Sequence, residues 1–240
     1  MKFLKINFIF YLFIILSSTI YSQTHRYSTK HKSSSGYSEG RFGITAGYTN
    51  YVLNSNVLFT KSQPGYLIGI MGTVPLMDNL EFSIGMNYVH HRMIFIGKED
   101  LNAEPENLKF KLENLDVPFI LNYNFLNLDN DMKIGVNAGF TVSFIQQYVP
   151  IDDTKENYIL EPLNLQVKYL NFDQENESIS INTYLPIGLS TEYHQVACNL
   201  KYNIGLSDPF RQASFYNILY KTKAKQNYFS LSFTYFFDND

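Results

Sequence analysis

The 240-residue chain has a single cysteine, Cys198, and no tryptophan. One thiol excludes an intramolecular disulfide, so an exported chain of this size needs another source of stability. No cysteine stands just after the N-terminal apolar run, so a lipidated N-terminus is not expected. Without tryptophan, any aromatic belt at a membrane interface must come from the 19 tyrosines and 20 phenylalanines. A mean hydropathy of −0.17 excludes a bundle of transmembrane helices, though not a barrel that hides its apolar half by alternation. The Gly-rich phosphate loop, the Cys/His zinc spacing and the dinucleotide fingerprint are all missing, so neither metal nor cofactor is expected. Loss of Lys2 and Lys5 on processing takes the formal charge from −3 to −5, which argues against nucleic acid as a partner.

What is present begins with the three parts of a secretory signal. Lys2 and Lys5 precede an apolar run over 8–16, and small and polar residues follow, ending in Tyr21, Ser22 and Gln23. Cleavage after Ser22 defines a signal peptide over 1–22, because the run is shorter than the roughly 20 residues of a spanning helix. Residues 23–40 are rich in Ser, Thr, His and Lys and read as a flexible periplasmic leader. His25, His31, Lys30 and Lys32 are read as solvated linker rather than metal or peptidoglycan contacts. The remainder, 41–240, is long enough for one substantial domain.

That domain is a succession of period-2 segments. Phe42, Ile44, Ala46 and Tyr48 alternate with Gly43, Thr45, Gly47 and Thr49, and the pattern recurs over 66–74, 80–88, 115–123, 133–144, 182–193 and 196–206. In the last stretch, 226–237, Phe229, Leu231, Phe233, Tyr235 and Phe237 share one face and Ser230, Ser232 and Thr234 the other. One face is small and polar and the other aliphatic and aromatic, which is the polar-inside, apolar-outside inversion of a membrane barrel; a soluble barrel buries its apolar side. The expected fold is therefore all-β, a transmembrane antiparallel β-barrel of about eight strands in the outer membrane. Long connections at 53–63, 97–111, 147–180 and 207–225 alternate with short ones at 76–79, 127–131 and 194–195, as external loops and periplasmic turns should. Two further strand-like stretches, 163–172 and 215–221, either raise the count to ten or extend hairpins above the membrane; the second reading keeps the loop alternation intact.

Leu115-Asp116-Val117-Pro118-Phe119-Ile120-Leu121-Asn122-Tyr123 resembles the acidic-aliphatic-Pro-aliphatic strand of the PorT-like outer-membrane β-barrel domain family, widespread in Bacteroidetes. The resemblance continues in 135–144, in 186–193, and in 202–206 ahead of the closing strand. It implies a barrel with outer-membrane lipid and other envelope proteins as partners, some members being accessories of type IX secretion.

Within the strands, Pro118 and Pro186 remove ladder donors and are read as bulge or kink sites in a wall that has no free edge. Glu81, Asp116, Lys133, Glu192 and Lys201 fall on the small, polar face. Since unpaired ions away from bulk water are costly, they are expected to pair inside a plugged, salt-bridged interior. His90 and His91, beside Arg92, sit near the external end of the third strand, His90 with the lipid-facing parity of Tyr88. No serine lies two residues from either on that strand, so no catalytic residue is assigned and no enzyme is expected. Outside the wall, the longest loop is acidic through Asp152, Asp153, Glu156, Glu161, Asp173, Glu175 and Glu177, without the ordered spacing of a calcium loop. The last loop is basic through Arg211, Lys221, Lys223 and Lys225, which are candidates for lipid-phosphate contacts. A structural or interaction role is the reading these observations favour, with a small passive pore and a lipid A-modifying enzyme as alternatives. Oligomeric state leaves no mark in the sequence.

Overall fold

Every period-2 segment forms a strand, and most strands run well past their lipid-facing stretch. A computed structural model describes residues 40–56, 58–128, 132–162, 165–167, 180–209 and 223–237. The signal peptide, nearly all of the leader, and the 215–221 segment lie outside the described residues. The strands are β1 (Arg41–Ser55), β2 (Thr60–Met77), β3 (Leu80–Lys98), β4 (Glu106–Leu128), β5 (Met132–Pro150), β6 (Ile159–Leu160), β7 (Leu165–Gln166), β8 (Ser180–Tyr193), β9 (Val196–Gly205) and β10 (Ala224–Phe237). Eight of them, β1–β5 and β8–β10, pair in antiparallel succession, and β10 returns to β1 with Phe42 opposite Phe237 and Ser55 opposite Ala224. The ring is closed, so every wall strand has two neighbours and no edge is left for lipid to meet.

The remaining two strands are not part of the wall. β6 pairs with β3 at Gly97–Leu160, above the point where β2 begins at Thr60, and β7 pairs with β6. The strand-like stretch around residue 165 thus extends the sheet above the membrane and leaves the ring at eight. Both ends of the described barrel, Arg41 and Phe237, lie at the same end as the short turns at 78–79 and 194–195, which is the periplasmic end. His194 takes a positive φ of 52° in the second of these turns.

The first two external connections are much shorter than the loops read from the sequence. Only 56–59 separates β1 from β2, and only 99–105 separates β3 from β4. The reason is a switch of polarity along the strands. In the lower wall the exposed side chains are Phe42, Ile44 and Tyr48 on β1, Phe119, Leu121 and Tyr123 on β4, Ile187 and Leu189 on β8, and Phe233, Tyr235 and Phe237 on β10. Their inward neighbours include Thr45, Ser83, Asp116, Asn137, Thr141, Asn199, Ser232 and Thr234, all buried. On β4 the apolar parity changes between Leu112 and Leu115: Leu108, Phe110 and Leu112 face inward while Lys109, Lys111 and Glu113 face outward. The outward apolar run of β4, 115–125, has the length of a tilted membrane-crossing strand. Above it the same β-structure continues with the inside-apolar logic of a soluble barrel.

Pro118 and Pro186 are not bulges. The β3–β4 register passes from Ile84–Phe119 to Asn87–Asp116 without a shift, and the β5–β8 register passes from Ala138–Ile187 to Thr141–Tyr184 likewise. Each proline removes a donor and the ladder skips two pairs, while the strand keeps its alignment. Gly85 lies across from Pro118, where a Cβ would come within 3.4 Å of the proline ring. The register shifts lie elsewhere, at 63–66 and 75–77 on β2 and at 112–114 and 124–126 on β4. Pro64 and Pro75 sit at the two on β2.

Candidate functional site in the barrel lumen

The lumen is stacked in three levels set by which inward positions carry charge, small polar groups or rings. At the periplasmic end, Arg41 opens β1 with the inward parity of Gly43 and Thr45. Its guanidinium donates to both carboxylate oxygens of Glu192, at 2.8 and 2.9 Å, and to Glu81 at 3.4 Å. Lys133 bridges the same two acids, 3.1 Å from Glu81 and 3.3 Å from Glu192. Arg41 also lies 4.4 Å over the ring of Phe236, which flanks the cluster. Four strands, β1, β3, β5 and β8, are thereby tied across the lumen. Above the cluster, a cavity of about 30 Å³ is lined by Glu81, Glu192, Asn122, Asn199 and Lys201, among others. That is room for a few water molecules at most.

The middle level is polar and largely uncharged. Thr45 and Thr234 share a hydroxyl contact at 2.8 Å, as do Thr73 and Ser83. Asn137 donates to Asn199 at 3.2 Å. Asp116 stands here, fully buried, accepting from the hydroxyls of Ser143 and, at 2.8 Å, Tyr228.

The upper level is aromatic. Tyr184 donates to Gln226 at 2.6 Å, Gln226 donates to the Tyr148 hydroxyl at 3.2 Å, and the Tyr148 and Tyr51 hydroxyls meet at 3.3 Å. His91 is enclosed by the rings of Tyr51 and Tyr228, 4.6 and 4.9 Å away between centroids. Its Nδ1 faces Thr49 at 3.4 Å and its Nε2 has no hydrogen-bond partner among the described residues. Over this network lies an apolar core of Leu53, Met93, Phe95, Leu108, Phe110 and Leu112, which Leu160 and Val167 of the chain after β5 join together with Leu58, bridged through its backbone to Pro162. The lumen is therefore stoppered by packed side chains at its external end and by ion pairs at its periplasmic end.

All five charges assigned to the small face point inward, but they do not all pair. Glu81, Lys133 and Glu192 join one cluster, completed by Arg41. Asp116 finds hydroxyls instead of a cation, because its height in the wall is that of Ser143 and Tyr228. Lys201, in register with Gly188 and Ser230, has no ion-pair partner among the described residues. Arg41 and the tyrosines Tyr51, Tyr148, Tyr184 and Tyr228 extend the constellation beyond the charges legible in the sequence; inward parity alone identifies Arg41. The two histidines separate: His91 is in the lumen, whereas His90 faces outward, stacked on Tyr66 at 5.0 Å and 3.6 Å from Glu113.

Of the loop residues, Lys223 and Lys225 are exposed, and Arg211 and Lys221 lie outside the described residues, as do Asp173, Glu175 and Glu177. Asp152 caps a 3-10 turn, and hydrogen bonds from the Thr154 hydroxyl and amide hold its carboxyl below the usual range. Lys155 bonds Glu106 at 2.7 Å, which holds its ammonium above the usual range, and Lys98 pairs with Glu161 at 2.7 Å. Among the described residues no three His, Cys, Asp or Glu side chains gather to hold a metal ion.

A closed antiparallel ring of eight strands, apolar toward lipid and polar within, defines a transmembrane β-barrel of the outer membrane. The chain belongs to the outer membrane protein beta-barrel domain family, whose model matches residues 21–211. No curated protein matches the sequence. Among solved structures it is similar to the outer membrane protein OprG from Pseudomonas aeruginosa, at 13% identity and a TM-score of 0.49 over 84% of this chain and 98% of that one. It is similar also to Neisserial surface protein A, at 14% identity and 0.39 over 83% and 100%. Ail, the attachment invasion locus protein of Yersinia pestis, aligns over 83% and 100% at 9% identity and 0.39.

Proposed function

We propose that this outer-membrane barrel is a non-conducting structural or interaction protein, and that its PorT-like strand motifs carry over to an accessory role in envelope secretion or surface assembly of the type IX kind. The observation that carries the reading is the double closure of the lumen. A pore needs a continuous water path, and here Tyr51, Phe95, Phe110 and Tyr184, all fully buried, fill the cross-section above the ion-pair cluster. An eight-stranded ring encloses an interior just wide enough for side chains, so nothing has to be displaced to make this packing. The lipid-enzyme alternative is weakened by the histidines, since His91 is enclosed by rings and His90 is held against Tyr66 and Glu113. The part of the molecule available to partners is the external β-extension, kept rigid by its own apolar core.

The test is isolation of the protein from native outer membrane in mild detergent, with near-stoichiometric companions identified by mass spectrometry. Planar-bilayer recordings are made on the same preparation. Secretion or assembly subunits together with silent bilayers are the expected result. Discrete conductance steps whose ion selectivity changes in Lys133→Ala would overturn it in favour of a pore.

A further inference from the structure

Just above the lipid-facing band, on the outer wall of β2, β3 and β4, four cations share a small area. Arg92 and Lys111 are directly opposite in register, Lys109 lies one outward step higher on β4, and Lys61 lies opposite Ile94, which in turn faces Lys109. Lys61, Arg92 and Lys109 are exposed, and the Lys111 side chain is 39% exposed. Arg92, Lys109 and Lys111 alternate with the buried, inward-facing Met93, Leu108, Phe110 and Leu112, so their direction is fixed by the core behind them, and Lys61 shares their face through its register with Ile94 and Lys109.

Like charges directly opposite on neighbouring strands are destabilising, and the surroundings do little to balance these. Glu113 is the acid at hand, 3.5 Å from Lys111. Arg92 has as its polar contact His90, at 3.4 Å, itself a base. Lys61 donates to a neutral amide, Asn107, at 3.3 Å, and Lys109 has no ion-pair partner among the described residues. Higher on the same sector Glu106 is engaged with Lys155 and Glu161 with Lys98, and Asp100 accepts from the amides of its own hairpin turn.

Height decides what the patch meets. The outermost lipid-facing side chains here are Tyr66, Tyr88 and Leu115; Arg92 and Lys111 stand two outward steps above Tyr88 and Leu115. Each step is about 5 Å of height for a tilted strand, which puts the cations in the headgroup layer. We propose that this patch is a binding site for a phosphate-bearing lipid of the outer leaflet. The phosphate lies between Arg92, Lys109 and Lys111, with Lys61 at its flank, and the acyl chains run down over Tyr66, Tyr88 and Leu115. Arginine with lysines suits this, since the fork takes two phosphate oxygens and the ammonium groups add charge with less geometric demand.

The experiment titrates the purified full-length barrel in detergent with lipid A and with the same lipid A after phosphatase treatment, reading bound lipid by native mass spectrometry. Wild type should prefer the phosphorylated lipid by about tenfold or more, as a few near-surface cations allow. Lys61→Gln, Arg92→Gln, Lys109→Gln and Lys111→Gln together should abolish the preference, while Lys155→Gln, at an external cation already paired with Glu106, should keep it. Equal binding of the two lipids by wild type, or a preference that survives the fourfold change, overturns the proposal. Displacement of lipid A by millimolar inorganic phosphate also overturns it, assigning the patch to a soluble anion. Should the fourfold variant fail to insert, the phosphatase comparison on wild type and the pair Lys61→Gln with Lys109→Gln still decide.

Discussion

Replacing Arg41 by glutamine tests the periplasmic ion cluster. The change removes three donated hydrogen bonds and leaves Glu81 and Glu192 sharing Lys133 alone. The carboxylates are only 14% and 13% exposed, so water replaces the lost cation only in part, whereas Arg41 is 25% exposed and has already kept part of its hydration. Breaking a buried ion pair from one side costs about 3–5 kcal/mol. Partial exposure and the surviving Lys133 bring the expectation down to about 2 kcal/mol. With no tryptophan to report unfolding, the assay is urea titration in lipid vesicles followed by far-UV circular dichroism and by the mobility of the folded barrel on unheated gels. Arg41→Gln combined with Glu192→Gln should be less unstable than the single variant, because the second change removes the excess charge. A loss below about 0.5 kcal/mol, within the scatter of surface substitutions, or no recovery in the double variant, would refute the claim that the cluster ties the wall together.

Two further substitutions probe the upper lumen. His91→Phe keeps an aromatic between Tyr51 and Tyr228 while deleting a buried nitrogen that has no partner among the described residues; stability equal to wild type or about 1 kcal/mol higher is expected in the same urea assay. A clear loss would show that the imidazole makes a bond worth keeping. Phe110→Ala removes a fully buried ring in edge contact with Phe95 at 4.8 Å, and should cost about 3–5 kcal/mol. Protease digestion of intact vesicles should then cut the 99–105 hairpin at lower urea than in wild type; unchanged protection would mean that the external extension does not depend on this core.

The class of fold is legible in the chain because membrane strands obey two rules at once, a period of 2 and a lipid side that must be apolar over its whole height. The stretch 226–237 satisfies both, and β10 runs over those residues with Ser230, Ser232 and Thr234 turned inward. The external third is harder to read. On β4 the apolar residues change parity between Leu112 and Leu115, so the two halves of one strand look like a loop followed by a strand. Only closure of the ring shows that Leu108, Phe110 and Leu112 continue inward to meet Tyr51, Phe95 and Tyr148 from other strands.

Charge shows the same division. Parity alone places Glu81, Asp116, Lys133, Glu192 and Lys201 inside, since alternate residues of a strand take opposite faces whatever their partners. Which of them meet depends on the stagger of strands far apart in the chain: Arg41 reaches Glu192 across 151 residues because β1 and β8 end at the same rim. The pairing of Arg92 with Lys111 on the outer wall likewise arises from the β3–β4 register. Composition and alternation thus determined the membrane class of the fold, strand content and the face each residue takes. Closure and stagger decided where the lumen is stoppered, which acid found which base, and where the unbalanced positive charge meets the headgroups, because strand periodicity is local whereas height in a closed barrel is a property of all eight strands together.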